Sequence, residues 1–495
     1  MKKNNKNKKG NNKIFNFFCK FFAIILLLST LTAGGFLIYF EILPIMYLSI
    51  FIVVGGLFVF GLAKILFNKK LKKWIKIITL FPTILLILIC IFACFYSIGT
   101  IGFFNKIFDL GIRNDSYSVY VLKDSNYETI DELNDKIIGI TKNENDKVIE
   151  KISSKIEFNM AEYDDTIDTI DSLYEEEVNA IVALDSTIEL LQEEQDEYDD
   201  IKPIYTFSIT TKVDTIKSDV DVSKENFVFY ISGIDTSGKV DAKARSDVNI
   251  LVAVNPKENK ILMVNTPRDY YETLGNIKAK DKLTHAGVYG IEESVATLEN
   301  LYNIDIDYYA RVNFTTFINI VEELDGIKVD VPVSFCEQTS SRTSTRKICL
   351  NKGLQVLNGE EALALTRTRH TLSGGDRSRI ENQLLVLRAI IDKALSPEII
   401  VKYNGLLDSV SDSVITNIDQ KSITKLIKKQ IKKNSEWSFE SLTVEGTDAY
   451  NTTYSTGNSS VYVMNQKEES VLSAKKAFDK ILETNKYPEE TNETE

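Results

Sequence analysis

Arginine is scarce in this sequence of 495 residues. Only eleven of the 58 basic side chains are Arg, and ten of those eleven lie between Arg245 and Arg388, whereas lysine is used almost everywhere else. The planar guanidinium group can bind phosphate through two parallel hydrogen bonds, which ammonium cannot do. This concentration of arginine therefore indicates a site for an anionic ligand that contains phosphate.

Cysteine is also rare, with five residues in the chain. Cys19, Cys90 and Cys94 lie in or beside long apolar runs, where we expect them to pack as small apolar side chains. Cys336 and Cys349 bracket a polar loop, and a disulfide between them would stabilise the fold by about 3 kcal/mol. Two free thiols are the alternative. A metal site is disfavoured because no second Cys or His pair accompanies them.

Excess positive charge is confined to the first 106 residues. Those residues hold fourteen Lys and one Glu, a net charge of +13; since the whole chain carries −12, the remainder carries −25. A surface this acidic does not suit nucleic acid.

The stretch ISGIDTSGKV (231–240) has the glycine and lysine spacing of a phosphate-binding loop but lacks its hydroxyl, because Val240 follows Lys239. No apolar helical pattern follows it either. Both departures argue against a nucleotide site.

Three long apolar runs, at about 21–40, 44–67 and 75–97, are each near the ~20 residues that a membrane-spanning helix needs. Lysines crowd the amino terminus and the link KKLKKWIK, whereas the first link carries only Glu41. By the positive-inside rule, residues 1–20 form a cytoplasmic basic tail, 21–104 form three transmembrane helices, and the chain after about residue 105 is extracellular. A cleaved signal peptide is the alternative for the first run.

Residues 105–215 alternate β-rich runs such as YSVYVLK and VNAIVAL with amphipathic helical ones, which predicts an extracytoplasmic α/β accessory domain. The stretch 116–212 has no His, Cys or Arg, and so has few residue types suited to catalysis. Its acidic runs, including EEQDEYDD (193–200), are typical of solvated helix faces.

The rest of the chain predicts an α/β or α+β domain with a central, mostly buried sheet flanked by helices. FVFYISGI, VNILVAVN and KILMVNTP read as strands, the last two forming a hairpin, and FTTFINIVEELDG reads as a helix ending at Gly326. A long amphipathic helix follows, with Leu384, Leu387, Ile391 and Leu395 on one face. We predict a catalytic domain over 216–400, its carboxy-terminal part over 401–484 and a disordered acidic tail over 485–495.

Six motifs in order, GIDTSG, ARSDVNILVAVNP, ILMVNTPRDYY, KLTHAG, LTRTRH and GGDRSRIENQ, closely resemble the catalytic domain of the LytR-CpsA-Psr family. The three apolar runs and the accessory domain resemble its capsule-type members. The resemblance implies an extracytoplasmic, Mg²⁺-dependent phosphotransferase of Gram-positive bacteria. It would move a glycopolymer such as teichoic acid or capsule from a polyprenyl-pyrophosphate carrier onto peptidoglycan.

The resemblance also implies roles for individual residues. Asp235 and Asp247 match the metal-side acids, and Mg²⁺ prefers such hard oxygen ligands. Asp269 would orient Arg268 or activate the acceptor hydroxyl, and the spacing of Arg367 and Arg369 is that of strand neighbours. The pyrophosphate would be held by Arg245, Arg268, Lys282, Arg367, Arg369, Arg379 and Gln383, of which Arg245, Arg268, Arg367 and Arg369, with Asp269, would be catalytic.

Other polar residues are given structural roles. Arg311 and Arg388 lie outside the matched motifs and are expected on the surface or on helix faces. His285 and His370 have no visible partner in the sequence, so packing or loop roles are favoured over a catalytic base. Many family members carry Arg at the position of Asn382.

Two other functions use the same residues. With water as acceptor, the site would act as a pyrophosphatase or phosphodiesterase on lipid-linked intermediates. Without turnover, the chain would be a membrane receptor that binds the polyprenyl phosphate. The complete set of Asp, Arg and Gln residues favours the transferase.

Overall fold

The computed structural model describes residues 2–39, 45–107, 112–142, 144, 146–212, 216–235, 240, 243–340, 346–368, 376–396, 414–433, 435–484 and 486. The chain divides into two compact units. One comprises Met1–Lys106 with Asp419–Asn434, and the other comprises Ile107–Ile418 with Ser435–Glu495.

The first unit contains three helices at the positions of the apolar runs, α1 (Lys2–Tyr39), α2 (Ile45–Phe67) and α3 (Lys73–Ile107). Among the residues that the structure describes, two stretches could cross a membrane by length and composition, Lys13–Phe36 and Lys73–Phe92. The apolar stretch of α2 that meets the same test of composition, Ile52–Phe67, is shorter. The three helices are thus present, while three membrane crossings stay a prediction.

The second unit begins with a five-stranded sheet of order β3-β2-β4-β1-β5, which we term, with its helices, the accessory domain. Its strands are β1 (Ile112–Leu122), β2 (Ile137–Thr141), β3 (Asn159–Tyr163), β4 (Ala180–Leu184) and β5 (Ile201–Lys212). Its helices are α4 (Asp146–Ser153), α5 (Thr166–Tyr174) and α6 (Asp185–Glu194). Pairing is parallel in β2–β3 and β2–β4, and antiparallel in β1–β4 and β1–β5.

Alternation along β1 explains why this sheet has a core on both faces. Val119 and Val121 pack in one buried cluster, and Tyr120 between them packs in the other, against Ile188 and Leu191 of α6. The predicted α/β pattern is therefore observed here.

A six-stranded mixed sheet of order β16-β11-β6-β7-β8-β17 follows, which we term, with its surrounding elements, the arginine-rich domain. Its strands are β6 (Phe227–Gly233), β7 (Val248–Asn255), β8 (Lys260–Asn265), β11 (Tyr308–Val312), β16 (Val414–Thr416) and β17 (Ser438–Thr443). β6, β7 and β8 are antiparallel neighbours, as the predicted hairpin requires, while β11 pairs parallel to β6 and β17 parallel to β8.

Four two-stranded sheets surround it, β9 with β10, β12 with β15, β13 with β14 and β18 with β19. These strands are β9 (Tyr271–Thr273), β10 (Lys280–Lys282), β12 (Ile327–Val331), β13 (Phe335–Gln338), β14 (Lys347–Leu350), β15 (Gly353–Leu357), β18 (Gly446–Thr452) and β19 (Ser460–Gln466). The helices are α7 (Leu283–Ala286), α8 (Ile291–Tyr302), α9 (Phe314–Glu323), α10 (Gly359–Arg367), α11 (Asp376–Ala394), α12 (Gln420–Lys433, in the first unit) and α13 (Glu468–Leu482).

Helix α9 ends close to the predicted glycine. Gly326 has φ +80°, and a Cβ at this position would lie 2.8 Å from the carbonyl oxygen of Leu357, so both conformation and space require glycine.

The strand-like interpretation of Arg367 is wrong. Arg367 is the last residue of α10, a helix that begins with a capping box between Asn358 and Glu361. The reciprocal hydrogen bonds of that box satisfy the first amides of the helix, and so fix a helical start eight residues before Arg367.

The two faces of the six-stranded sheet differ. On one face, Val228 and Tyr230 of β6 pack in a closed core with residues of α8 and α13, including Leu298 and Phe478. On the other face, Phe229 and Ile231 border a cavity. Alternate residues of one strand therefore serve a core and a cavity.

Candidate functional site

Three strand ends meet at one edge of the six-stranded sheet. β6 ends just before Asp235, β7 begins just after Asp247, and β8 ends just before Arg268. The amide of Asp247 donates to the carbonyl oxygen of Gly233 at 2.8 Å, and a Cβ at Gly233 would lie 2.8 Å from that of Val248. The pairing of β6 with β7 therefore brings the two aspartates to a common edge, and the antiparallel pairing of β7 with β8 brings Arg268 to it.

Arg268 is held between two carboxylates. Its Nη1 atom donates to Oδ1 of Asp247 at 2.7 Å, and its Nε atom lies 3.6 Å from Oδ2 of Asp269. Burial opposes the charge on this guanidinium, but Asp247 and Asp269 outweigh burial and raise the pKa of Arg268 above its usual value. Arg268 is thus a fixed positive charge.

A cavity of about 520 Å³ opens at this edge. Its apolar wall comes from the sheet and from α9, α10 and α11, and includes Phe229, Ile231, Ile250, Phe317, Ile320, Leu363, Val386, Leu387 and Ile390. Its charged and amide groups are those of Glu193, Asp235, Asp247, Arg268, Asn313, Glu337, Arg367, Arg379 and Gln383. The cavity thus combines an apolar body with guanidinium and carboxylate groups.

Helices α10 and α11 contribute the remaining cations. Arg367 lies with its guanidinium carbon 4.9 Å from the ring centre of Phe314, and its Nη1 atom donates to the carbonyl oxygen of Thr339 at 3.3 Å. Arg379 and Gln383 lie one turn apart on α11, both buried, and Gln383 accepts a hydrogen bond from Asn265 at 3.4 Å. The structure thus brings together Asp235, Asp247, Arg268, Arg367, Arg379 and Gln383, all predicted from sequence.

The profile of the LytR_cpsA_psr family matches residues 180–477 of the chain. The chain is 38% identical over 205 residues to the Bacillus subtilis protein named polyisoprenyl-teichoic acid–peptidoglycan teichoic acid transferase TagT, a match covering 41% of this chain and 63% of TagT. It is 33% identical over 222 residues to TagU of Bacillus cereus, named for the same activity, with 44% of this chain and 70% of TagU covered.

The chain belongs to the LytR-CpsA-Psr family.

Among solved structures, the crystal structure of B. subtilis TagV is 31% identical to this member of the family, with a TM-score of 0.45, and covers 52% of this chain and 98% of that chain. The matched region spans 63% of the length of TagT and 51% of the length of TagV among the curated relatives.

Two basic residues of the family motifs are engaged by the accessory domain. Arg245 forms an ion pair with Glu193 of α6, and Lys282 lies with its Nζ atom 2.6 Å from both carboxylate oxygens of Glu194. Glu193 borders the cavity, whereas Lys282 is buried and outside the cavity lining. The interpretation of this acidic run as a solvated helix face is therefore wrong at Glu194, whereas Glu193 is half-exposed although it is paired with Arg245.

His285 belongs to the same buried cluster. Its Nδ1 atom lies 2.6 Å from Oδ1 of Asp281, and its Nε2 atom lies 3.6 Å from Oε1 of Glu194. Burial disfavours the charged ring, but Asp281 and Glu194 outweigh burial and raise the pKa of His285. Burial disfavours the Glu194 carboxylate as well, yet His285 and Lys282 lower its pKa to about 2.

Arg311, expected on the surface, is completely buried on β11. Its Nη2 atom donates to the carbonyl oxygens of Ala244 and Gly287 and to Oγ of Ser246 at 2.5, 3.3 and 3.1 Å. It thereby fixes the segment that carries Arg245 and Asp247. The sequence contains one indication of this burial. Arg311 lies within the apolar strand YYARV, and an Arg buried in such a strand must have its donors satisfied.

The structure also describes Arg388, the second arginine predicted to lie outside the motifs, and Asn382, where this chain departs from the family pattern. Arg388 is 53% exposed and lies 3.8 Å from Asp392 on the same helix, as expected of a helix-face residue. Asn382 is buried and donates to the carbonyl oxygen of Leu365 at 3.2 Å, so this amide ties α11 to α10. Arg369 and His370 lie outside the described residues.

Cys336 and Cys349 are joined by a disulfide between the paired strands β13 and β14. Glu337, next to the first cysteine, borders the cavity. The disulfide thus closes the Ser/Thr/Arg-rich loop beside the site.

The acids at the cavity edge suit magnesium. Within the described residues, no group of three or more His, Cys, Asp or Glu side chains could hold a metal ion by itself. Mg²⁺ typically takes only one or two carboxylates and completes its coordination with water and substrate phosphate. Asp235 and Asp247, both on the cavity wall, are such a donor set.

Proposed function

We propose that this protein is a membrane-anchored phosphotransferase that attaches a glycopolymer to peptidoglycan outside the cell. The donor would be the polymer linked to a polyprenyl pyrophosphate. The observation that carries the proposal is the cavity itself, which joins an apolar body to a cluster of guanidinium and carboxylate groups. Relatives in the same family are named polyisoprenyl-teichoic acid–peptidoglycan teichoic acid transferases, which favours an anionic wall polymer.

The charged edge of the cavity suits the pyrophosphate. Arg268, Arg367 and Arg379 approach it from three different elements and offer fork-shaped donors. From the motif, we assign Arg369 to the same pyrophosphate-binding cations. We place Arg245 and Lys282 beside these cations. Fixed cations of this kind stabilise the charge that develops on the leaving phosphate.

The apolar body of the cavity suits the prenyl chain. Val386, Leu387 and Ile390 of α11 face it from one side, and Ile231 and Ile250 of the sheet from the other. Burial of hydrocarbon here contributes about 0.8 kcal/mol per CH₂ group. Of the predicted apolar face of α11, only Leu387 borders the cavity, so a neighbouring face of the helix would contact the lipid.

The transfer itself is a displacement at phosphorus. A sugar hydroxyl of peptidoglycan attacks the phosphorus that carries the polymer, the new P–O bond forms, and the bond to the bridging oxygen breaks. The polyprenyl monophosphate leaves with that oxygen. Asp269, which lies 3.6 Å from Arg268, orients this cation, and we assign to it the proton of the hydroxyl.

Magnesium would be held by Asp235 and Asp247 together with the phosphates. When bound, it would neutralise phosphate charge and act as a Lewis acid. The hydrogen bond from Arg268 fixes Oδ1 of Asp247.

Membrane anchoring is proposed from the first unit. Lys13–Phe36 and Lys73–Phe92 meet the length and composition of spanning helices. We propose that α2 is the third span, and that the lysines at the amino terminus and between α2 and α3 are cytoplasmic. The arginine-rich domain would then lie on the extracellular side, where lipid-linked polymer and peptidoglycan meet.

The test uses the full chain in detergent with Mg²⁺, a polyprenyl-pyrophosphate oligosaccharide and peptidoglycan fragments. Mass spectrometry would detect a phosphate-linked adduct and lipid monophosphate in equal amounts. Both products should disappear with Arg367→Ala, with Asp247→Ala or on chelation, while the thermal unfolding of the variants stays cooperative.

Other outcomes would refute the transferase. Lipid monophosphate without an adduct would indicate hydrolysis. Binding of the donor without either product would indicate a receptor. Full transfer by Arg367→Ala would remove this guanidinium from the assignment.

A further inference from the structure

Helix α6 of the accessory domain ends against the arginine-rich domain. Its last two residues, Glu193 and Glu194, pair with Arg245 and Lys282. The next residue, Gln195, is buried and donates to the carbonyl oxygen of Thr456 at 3.3 Å. These contacts fix the helix end beside the cavity.

Further contacts join the same two domains. Lys243 lies 3.7 Å from Asp115 of β1, whose side chain is buried. Val288 of the arginine-rich domain packs in an accessory-domain core with Tyr120 and Leu191. The end of α6 is therefore one part of a packed interface.

The two carboxylates at the helix end differ in exposure. Glu194 is 16% exposed and contacts Lys282 through both oxygens, so this buried ion pair fixes the end of α6 against the arginine-rich domain. Glu193 is 48% exposed, pairs with Arg245 and borders the cavity that also receives Asp247 and Arg268. Exposed ion pairs contribute little to stability, so the Glu193 pair can exchange partners while the Glu194 pair remains.

We propose that Glu193 is a positioning residue which the accessory domain supplies to the site. It orients Arg245 beside the cavity and yields this guanidinium to the substrate pyrophosphate. The inference rests on the proposed function, because it takes the pyrophosphate to be the incoming anion. A guanidinium can bind phosphate and carboxylate alike through two hydrogen bonds, but a pyrophosphate carries more negative charge than the single half-exposed carboxylate, so the exchange favours substrate.

A second consequence concerns affinity. While Glu193 holds Arg245, it is both a competitor for the cation and a negative charge facing a polyanionic ligand. Removing the charge at Glu193 should therefore tighten binding of a pyrophosphate, and this gain should depend on Arg245. A carboxylate with only a structural role would not produce that dependence.

The experiment measures binding of geranylgeranyl pyrophosphate to the detergent-solubilised full chain by titration calorimetry. The variants are Glu193→Gln, Arg245→Gln and the double variant. Glu189→Gln is the matched control, because Glu189 is exposed on α6 one turn earlier and is not part of the cavity wall. We expect Glu193→Gln to lower Kd by about 2–5-fold, to have no effect in the Arg245→Gln background, and Glu189→Gln to leave Kd unchanged.

Three results would overturn the inference. Unchanged or weaker binding by Glu193→Gln would mean that Glu193 does not compete with the ligand. The same gain in the Arg245→Gln background would mean a general charge effect. If the unmodified chain did not bind geranylgeranyl pyrophosphate, both the proposed function and this inference would be wrong. If it bound the ligand normally but Glu193→Gln did not bind it more tightly, only this inference would be wrong. Thermal unfolding of each variant would show that it is folded.

Discussion

Two sets of cations in the arginine-rich domain carry the same charge but have different partners. Arg311 and Lys282 are buried and use their donors on carbonyl oxygens, a hydroxyl or the carboxylate of Glu194. Arg367 and Arg379 border the cavity. The comparison teaches that an arginine or lysine in a motif-rich segment can serve either the scaffold or the ligand, and that the two roles differ in whether the side chain borders the cavity.

The strongest way to test the comparison is to remove a buried cation. Arg311→Leu would remove the donor to the carbonyl oxygen of Ala244 and to Oγ of Ser246, whereas the carbonyl oxygen of Gly287 keeps the amides of Ala244 and Gly290. Each buried group left unsatisfied costs about 1–3 kcal/mol. We expect the free energy of unfolding to fall by about 3–5 kcal/mol. Denaturant unfolding of the full chain measures the loss. Arg388→Leu removes an exposed guanidinium that lies over the ring of Phe439, and should lower the free energy of unfolding by less than about 1 kcal/mol. Equal losses in the two variants would show that Arg311 is no more structural than Arg388.

Removing a cation that borders the cavity should lower turnover more than it lowers the free energy of unfolding. Arg379→Gln keeps a polar side chain, although a shorter one, and removes a fixed charge from the cavity wall. We expect kcat for polymer transfer to fall by about 100-fold, the typical cost of losing one preorganised donor to a developing charge. Arg388→Gln, on the same helix, is the matched control for the rate. Loss of stability without loss of turnover would place Arg379 in the buried, structural set.

The pair of glutamates at the end of α6 allows a smaller test. Glu194→Gln removes the charge that Lys282 and His285 share, and we expect a loss of about 1–3 kcal/mol in unfolding free energy. Glu193→Gln removes a half-exposed charge at the preceding residue, and the loss in unfolding free energy should stay below about 1 kcal/mol. Chemical denaturation of both variants gives the comparison. If Glu193→Gln cost more unfolding free energy than Glu194→Gln, the ion pair of Glu193, and not that of Glu194, would fix the end of α6.

Sequence patterns predicted the strands and helices well where apolar spacing was regular. β7, β8 and α9 lie where VNILVAVN, KILMVNTP and FTTFINIVEELDG predict them. The pattern around Arg367 misled, because a two-residue spacing of arginines was read as a strand although Asn358 and Glu361 mark the start of a helix. Capping chemistry was the better guide there than charge spacing.

The site was predictable only in part, for a physical reason. Motif order indicated Asp235, Asp247, Arg268, Arg367, Arg379 and Gln383, which border one cavity. Arg311 and Glu193 lie outside the motifs, and their roles depend on partners brought close by folding over 67 and 52 positions of sequence. An acidic run on a helix has the same sequence pattern whether it faces water or a neighbouring domain, so composition alone could not separate the two.

The smallest expected effect concerns pH. The pKa of His285 is raised above 6.5 because Asp281 and Glu194 outweigh burial, so its contribution to stability is complete below about pH 6.5 and is lost as pH rises through the raised value. Glu194 has a pKa lowered to about 2 from 4.5, so its contribution is complete above about pH 4.5 and is lost as pH falls toward 2. The buried cluster should therefore stabilise the protein most between about pH 4.5 and 6.5. Thermal unfolding from pH 4 to 9 would show a decline above 6.5 that is smaller in His285→Gln; an identical decline in that variant would assign the pH dependence to other groups.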